Sequence, residues 1–404
     1  MTDLLTLSDL DLGGLAGRRV FVRVDFNVPL SGAGEVLDAT RLKEALPTLH
    51  ELAAAGVRLI LASHCGRPKG QPDPRYSLRP VALALARLAG QEVAFAADCV
   101  GAVAASAVAA LPPGRMLLLE NLRFHAGETA NDPAFAAQLA DLADAYVDDA
   151  FGSAHRAHAS VVGIVERLPR KAAGRLMERE VAALGRLLGE PERPFAALLG
   201  GAKIEGKIDT LANLLPRLDL LLVGGGMANT FLAAQGHDMA ASLVEPDRLE
   251  LARDILRRAD DRGVQVVLPV DLTAIMATDD LVEAPRRIET VPAEHVPAGM
   301  KAVDIGPESR QRFAAAIAGA RTLFWNGPLG VFERPPFDAG TREVAQALAA
   351  CAGFSVIGGG ETVAAVRQAG VASKIGHVST GGGASLEFLA GKTLPGVAVL
   401  ERHP

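Results

Sequence analysis

Two kinds of anion-binding chemistry occupy different halves of this chain. In the first half, isolated polar and basic residues follow apolar runs: Arg23, Asp25 and Asn27 in RVDFNVP, Arg41 in DATRLKEA, His64 and Arg67 in SHCGRPKG, Arg123 in ENLRF, and His155 and Arg156 in DDAFGSAHR. In the second half, glycine clusters take that place: Gly200-Gly201, Gly224-Gly225-Gly226, Gly327, Gly358-Gly359-Gly360 and Gly381-Gly382-Gly383. Separate guanidinium and imidazole groups suit a small anion such as a phosphorylated acid, whereas glycine turns let backbone N–H groups close on a polyphosphate. Two phosphorylated ligands, one per half, imply phosphoryl transfer.

An aspartate among the arginines is informative. A carboxylate repels an anion but accepts a hydrogen bond from a hydroxyl, so the ligand carries both groups. Alternation along RVDFN predicts Arg23, Asp25 and Asn27 on one face at the carboxyl end of a strand, the alternative being a local Arg23–Asp25 pair. Arg41 opens a predicted helix, where a cation opposes the macrodipole unless an anion sits beside it. Lys203 and Lys207 are predicted one turn apart at the start of another helix, striped by Ile204, Ile208, Leu211 and Leu215, and the same argument applies. Gly201 to Lys207 also fits GxxxxGK, but Ile208 stands where a Walker loop needs Ser or Thr. Glu361 offers either a ligand for Mg²⁺ on nucleotide phosphates or a first-turn acid that complements the helix dipole. His155 and His158 have no matching third ligand in the sequence, which argues against a metal between them.

These residues need elements to position them. Apolar, β-branched runs at 19–28, 57–62, 115–119, 145–148, 195–199, 219–223, 264–268, 322–325 and 354–357 alternate with helical patterns such as 38–55 and 77–88. The alternation predicts an α/β protein of two doubly wound domains, each a mainly parallel sheet flanked by helices, with ligands at the strand ends. A chain of 404 residues also exceeds what one core usually supports. Met177, Val181, Leu184 and Leu188 recur at helical spacing before Gly189-Glu190-Pro191, which predicts an interdomain helix able to act as a hinge, the alternative being an ordinary crossover helix. The expected divisions are 1–171 for the small-anion domain, 172–189 for that helix, 190–390 for the nucleotide domain and 391–404 for a terminal segment.

Composition excludes other classes. A net charge of −6 disfavours nucleic acid or an anionic membrane surface as partner, and no apolar run reaches transmembrane length. One Trp and two Tyr provide no base-stacking platform. Three scattered cysteines, without a CxxC pair or a visible signal peptide, fit a reducing cytoplasm.

RVDFNVP, SHxGRPKG, LLLENLRF, DDAFGSAHR, GGAKxxxK, GGGMANTF, WNGPxGVFE, GGGxT and STGGGASLEFLxGK, in this order and across essentially the whole chain, resemble the phosphoglycerate kinase family. The resemblance implies a 3-phosphoglycerate site made of Arg23, Asp25, Asn27, Arg41, His64, Arg67, Arg123, His155 and Arg156. It implies Mg-nucleotide contacts from Gly201, Lys203, Lys207, Gly225, Gly226, Asn326, Glu333, Gly358, Gly359, Gly360, Glu361 and Thr362, with Glu361 facing the metal. Arg41, Lys203, Gly382 and Gly383 are the catalytic positions by the same likeness. It further implies ATP and 3-phosphoglycerate as small-molecule substrates, a cytoplasmic hinge-bending monomer, and a C-terminal segment packed back on the N-terminal domain. Two positions depart from the family pattern: Glu361, where Asp is usual, and Cys65, where Leu is usual. Nearby arginines are expected to lower the pKa of Cys65 and make it reactive.

The implied reaction moves a phosphoryl group between Mg-ATP and the carboxylate of 3-phosphoglycerate, in line and directly after hinge closure. The acceptor oxygen is already ionised, so no general base is needed, in keeping with the absence of an evident acid–base pair. The alternative is a catalytically silent protein that binds both ligands on the same fold.

Overall fold

The computed structural model describes residues 3–279, 281, 285 and 287–402. The chain divides into two units: residues up to Ala182 together with those from Thr393 onward, and Ala183–Lys392. The helix Arg175–Leu188 carries the chain from the first to the second.

In the first unit, β1 (Arg19–Val24), β2 (Arg58–Ala62), β3 (Val93–Ala96), β4 (Met116–Leu119), β5 (Ala145–Asp149) and β6 (Lys171–Ala173) form a sheet in the order β3-β4-β2-β1-β5-β6. All its pairings are parallel. Val20, Val22, Val24, Leu59, Leu61, Met116, Leu118, Ala145 and Val147 join one buried cluster with Leu42, Leu49 and Leu52 of the helix Thr40–Ala54. Helix cover is why these strands read as nearly unbroken apolar runs. The chain ends meet here: Leu5 N–H donates to Leu400 O at 2.9 Å, and Ala173 N–H donates to Leu5 O at 2.7 Å.

The second unit repeats the plan with β7 (Phe195–Leu199), β8 (Leu220–Val223), β9 (Gln265–Val267), β13 (Thr322–Asn326), β14 (Phe354–Gly358) and β15 (His377–Val378), ordered β15-β14-β13-β7-β8-β9 and again parallel. Between β9 and β13 the chain builds an antiparallel sheet, β11-β10-β12, from β10 (Asp271–Met276), β11 (Ile288–Pro292) and β12 (Met300–Ile305). The sequence reading missed this sheet, because DLTAIM and MKAVDI are short and interrupted by polar residues. It also missed the short strands β3, β6 and β15.

Strand order locates the ligand crevices. In each large sheet the chain winds outward to one side of its first strand and then returns to the other side. This creates a switch point between β1 and β5 and another between β7 and β13. At a switch point the following loops diverge and leave a crevice at the carboxyl ends of the strands.

Candidate active site

At the β1/β5 switch point the structure places a charged group inside the sheet. Arg23 is wholly buried (0% exposed) on β1. Its Nε donates to Ser160 Oγ at 2.9 Å, Nη2 donates to Ser153 Oγ at 3.3 Å and meets His64 Nδ1 at 3.2 Å, and Nη1 donates to the Val24 carbonyl. Burial together with Arg23, Arg123 and Arg41 pushes the His64 pKa well below its usual value. The imidazole is therefore neutral. Because arginine only donates, Nδ1 must accept and the ring proton sits on Nε2.

Arg23 is compensated from beneath by residues the sequence reading missed. Glu128, also fully buried, accepts from Ser160 Oγ at 2.7 Å and from Ser160 N–H at 3.0 Å, with His158 Nδ1 at 3.6 Å. Burial raises its pKa, but His158, Arg23 and Ser160 outweigh that and hold the carboxyl below its usual range. No local pattern in GETAND marks Glu128, which meets Arg23 only through the fold.

The other predicted residues occupy the loops around this base. β1 ends at Val24, so strand alternation extends only to Arg23, and Asp25 and Asn27 lie beyond the strand. Asp25 accepts from Arg41 Nη1 at 2.6 Å, so its partner is Arg41 rather than Arg23. Asn27 Oδ1 accepts from Gly66 N–H at 3.0 Å, and the Gly66 carbonyl accepts from Arg123 Nη1 at 2.9 Å. Gly66 has φ +60°, and a Cβ there would lie 2.2 Å from Tyr76 Cδ1, so only glycine fits this junction. Burial and repulsion from Arg23 depress the Arg123 pKa. Arg67 and Arg156 are exposed, and His155 is half-buried. Cys65 contradicts expectation: it is 4% exposed, and burial, with Glu120 and Asp25, raises its thiol pKa. Loss of water dominates, so the thiol is held protonated.

At the β7/β13 switch point, glycine turns line a cleft of about 450 Å³. Gly201, Gly225, Gly226, Glu333 and Glu361 border it, with Leu243, Leu272, Val303, Leu329 and Phe332 providing apolar walls. Gly225 has φ +63°, and an added Cβ would come within 2.7 Å of Pro328 O and 2.8 Å of Gly201 N. The lysine prediction needs correction. The helix starts only at Ile208, so Lys203 lies exposed in the preceding loop and not one helical turn from Lys207. Gly206, at φ +82°, interrupts the expected stripe. Lys207 Nζ folds back to donate to the Gly200 carbonyl, and burial lowers its pKa to about 8 against a raising effect from Glu361.

Asn326 does not line the cleft. It is buried at the end of β13, where its Nδ2 lies 2.8 Å from where a Gly359 Cβ would stand and has no hydrogen-bond partner among the described residues. Thr362 Oγ1 accepts from Gly327 N–H at 2.6 Å, which ties the loop after β13 to the helix Gly360–Gln368. Gly358 is buried, whereas Gly360 and Glu361 are exposed at the start of that helix. Gly382 (φ +55°) and Gly383 open the helix Gly383–Leu389. The Leu386 and Leu389 carbonyls of that helix accept from Thr210 Oγ1 and Asn213 Nδ2 at 2.9 and 2.7 Å. Asp304, also missed in the sequence, borders the cleft. Its buried carboxyl accepts from Gly340 N–H at 2.7 Å, and burial raises its pKa to about 7.

A two-unit α/β protein with a basic, hydroxyl-ready cluster at one switch point and glycine turns at the other belongs to the class of two-ligand phosphotransferases. The comparisons give the class its family. The sequence profile of the phosphoglycerate kinase family matches residues 7–392. Phosphoglycerate kinases of Desulforudis audaxviator and Thermus thermophilus are each 56% identical over 98% of this chain and 99% of their own length. The solved structure of phosphoglycerate kinase from Coxiella burnetii superposes with a TM-score of 0.87 at 38% identity, covering 98% of both chains. This chain belongs to the phosphoglycerate kinase family.

Proposed function

We propose that the chain catalyses reversible phosphoryl transfer between Mg-ATP and the carboxylate of 3-phosphoglycerate, giving ADP and 1,3-bisphosphoglycerate. The observation that carries this reading is the buried Arg23–His64 pair, ringed by Arg41, Arg123 and Asp25 at one switch point, on a chain whose other switch point carries the glycine-lined cleft. His64 Nε2–H and the arginines donate to the acid's carboxylate and phosphate, and Asp25 accepts from its hydroxyl. Asn27, Arg67, His155 and Arg156 complete this site from the surrounding loops.

On the second unit, backbone N–H groups of the Gly201, Gly225-Gly226 and Gly358–Gly360 turns cradle the phosphates, with Lys203 and Lys207 as cations. Glu333 borders the sugar and base. Thr362 holds the loop geometry beneath, and Asn326 stands at the end of β13 against the Gly358–Gly360 turn. Glu361 fits Mg²⁺: it is an exposed carboxylate at the cleft edge, close enough to Lys207 to influence its ionisation. The ion, when bound, neutralises phosphate charge. Catalysis by the chain is positioning and electrostatics, with Arg41, Lys203 and the N–H groups of Gly382-Gly383 directed at the transferring group. Transfer requires the units to close, and we assign that motion to the ends of the helix Arg175–Leu188. The working form is a cytoplasmic monomer.

Coupled-assay turnover with Mg-ATP, run with and without 3-phosphoglycerate, tests the proposal. Acceptor-dependent ADP formation is expected, and loss of about 10³–10⁵ in kcat for Arg41→Ala, or about 4–7 kcal/mol of barrier. No turnover despite binding of both ligands would favour the silent alternative, and a loss below about tenfold would reduce Arg41 to a binding role.

A further inference from the structure

Asp98, Cys99 and His125 gather three different donor atoms at the edge of the first unit, where none of them serves the chemistry proposed above. A carboxylate oxygen, the thiol sulfur and an imidazole nitrogen lie within 4.8 Å of one another. They come from separate segments: Asp98 and Cys99 follow β3, and His125 follows the turn Leu122–Phe124 after β4. Since β3 and β4 pair in register from Val93↔Met116 to Ala96↔Leu119, the sheet brings the two segments together.

We infer that Asp98, Cys99 and His125 form a binding site for a thiophilic divalent cation of the Zn²⁺ class, with solvent in the fourth position. Tetrahedral zinc holds sulfur at about 2.3 Å and nitrogen or oxygen at about 2.0–2.2 Å, so its ligand atoms stand roughly 3.3–3.7 Å apart. The three atoms lie within 4.8 Å of one another, so a cation draws the wider pairs in, while the 2.7 Å contact of His125 Nε2 with Asp98 Oδ1, an oxygen that also accepts from Cys99 N–H at 2.7 Å, must open by somewhat less than about 1 Å. Both are side-chain adjustments.

Two features equip the cluster for this role. Cys99 is 1% exposed, whereas the side chains of Asp98 and His125 are 41% and 34% exposed, so the sulfur forms the floor and the mouth opens to solvent. The His125 ring stacks on Phe135, with centroids 5.3 Å apart, which restricts its rotation. On binding, the thiol proton leaves to solvent as the S–metal bond forms. Magnesium does not compete well, because it prefers an all-oxygen octahedron. Arg123 lies two residues before His125 in the same turn, so a cation here stiffens a segment that carries a residue of the proposed acid site.

Co²⁺ added anaerobically to the full-length protein in excess Mg²⁺ is the test. Expected are one equivalent bound, a near-ultraviolet thiolate-to-cobalt charge-transfer band with tetrahedral visible bands, and their loss on adding Zn²⁺. Cys99→Ser should abolish the charge-transfer band and Cys351→Ser should keep it. Should Cys99→Ser fail to fold, Asp98→Asn and His125→Gln at the open mouth give the same answer through at least about tenfold weaker binding. No charge-transfer band at one equivalent, or a band that survives Cys99→Ser or is unmoved by both mouth variants, would overturn the site.

Discussion

Replacing Glu128 by glutamine removes the negative charge under Arg23 with little change of volume. In the native site Glu128 receives two hydrogen bonds from Ser160, and Ser160 Oγ in turn accepts from Arg23 Nε. Hydrogen bonds to a charged acceptor contribute about 1.5–3 kcal/mol each, against about 1 kcal/mol for neutral ones. Weakening two of them, while leaving a fully buried guanidinium without its counter-charge, costs about 3–5 kcal/mol. Unfolding in urea can assign this loss to its unit, because Tyr76 and Tyr146 belong to the first unit and Trp325, the single tryptophan, to the second. The tyrosine near-ultraviolet dichroism transition should fall to lower urea, and Trp325 fluorescence should move far less. The pH dependence supplies a second check. Since the folded pKa of Glu128 lies below its unfolded value, its contribution is complete above about pH 4.3 and fades as pH falls through the folded value. The deficit of Glu128→Gln should therefore shrink in acid. A deficit below about 1 kcal/mol at pH 7, or one independent of pH down to 2, would refute the reasoning.

Asp149 titrates in the opposite sense: burial raises it to about 7, so the protonated form favours folding and stability declines as pH rises from about 4 to about 7. Asp149→Asn keeps the acceptor for Leu176 N–H at 2.8 Å and should flatten that slope in pH-dependent urea unfolding; an unchanged slope counts against the assignment. Gly225→Ala places a methyl within 2.7–2.9 Å of three backbone atoms at φ +63°, and calorimetry should show at least about tenfold weaker ADP binding with about 1–3 kcal/mol lower stability; native-like values for both would show that the turn yields. Lys207, lowered to about 8, should regain its proton when polyphosphate binds. Nucleotide titrations at pH 8 in buffers of different ionisation enthalpy should report uptake of about half a proton, lost in Lys207→Met; no buffer dependence in the native protein would exclude the effect.

The sequence by itself determined the α/β plan and named most residues of the proposed site. Apolar β-branched runs alternating with helical stripes are set by local periodicity, and the residues proposed to meet ligands sit at fixed offsets after those runs. Arg23, His64, Gly225 and Glu361 were legible for that reason. Tertiary structure alone decided what compensates them. Glu128 and Ser160 reach Arg23 across more than a hundred residues with His158 beside Glu128, the Asp98–Cys99–His125 group exists only because β3 and β4 pair, and Asp25 chooses Arg41 over its near neighbour on the chain. The state of a charge also depended on the fold. Cys65 lies buried with Glu120 and Asp25 acting in the same direction as burial, and Lys207 stands beside Glu361 yet burial outweighs it, because the cost of removing a charge from water exceeds what one neighbouring charge returns. Periodicity encodes which residues point to one face, but depth from solvent and long-range pairing are properties of the packed chain.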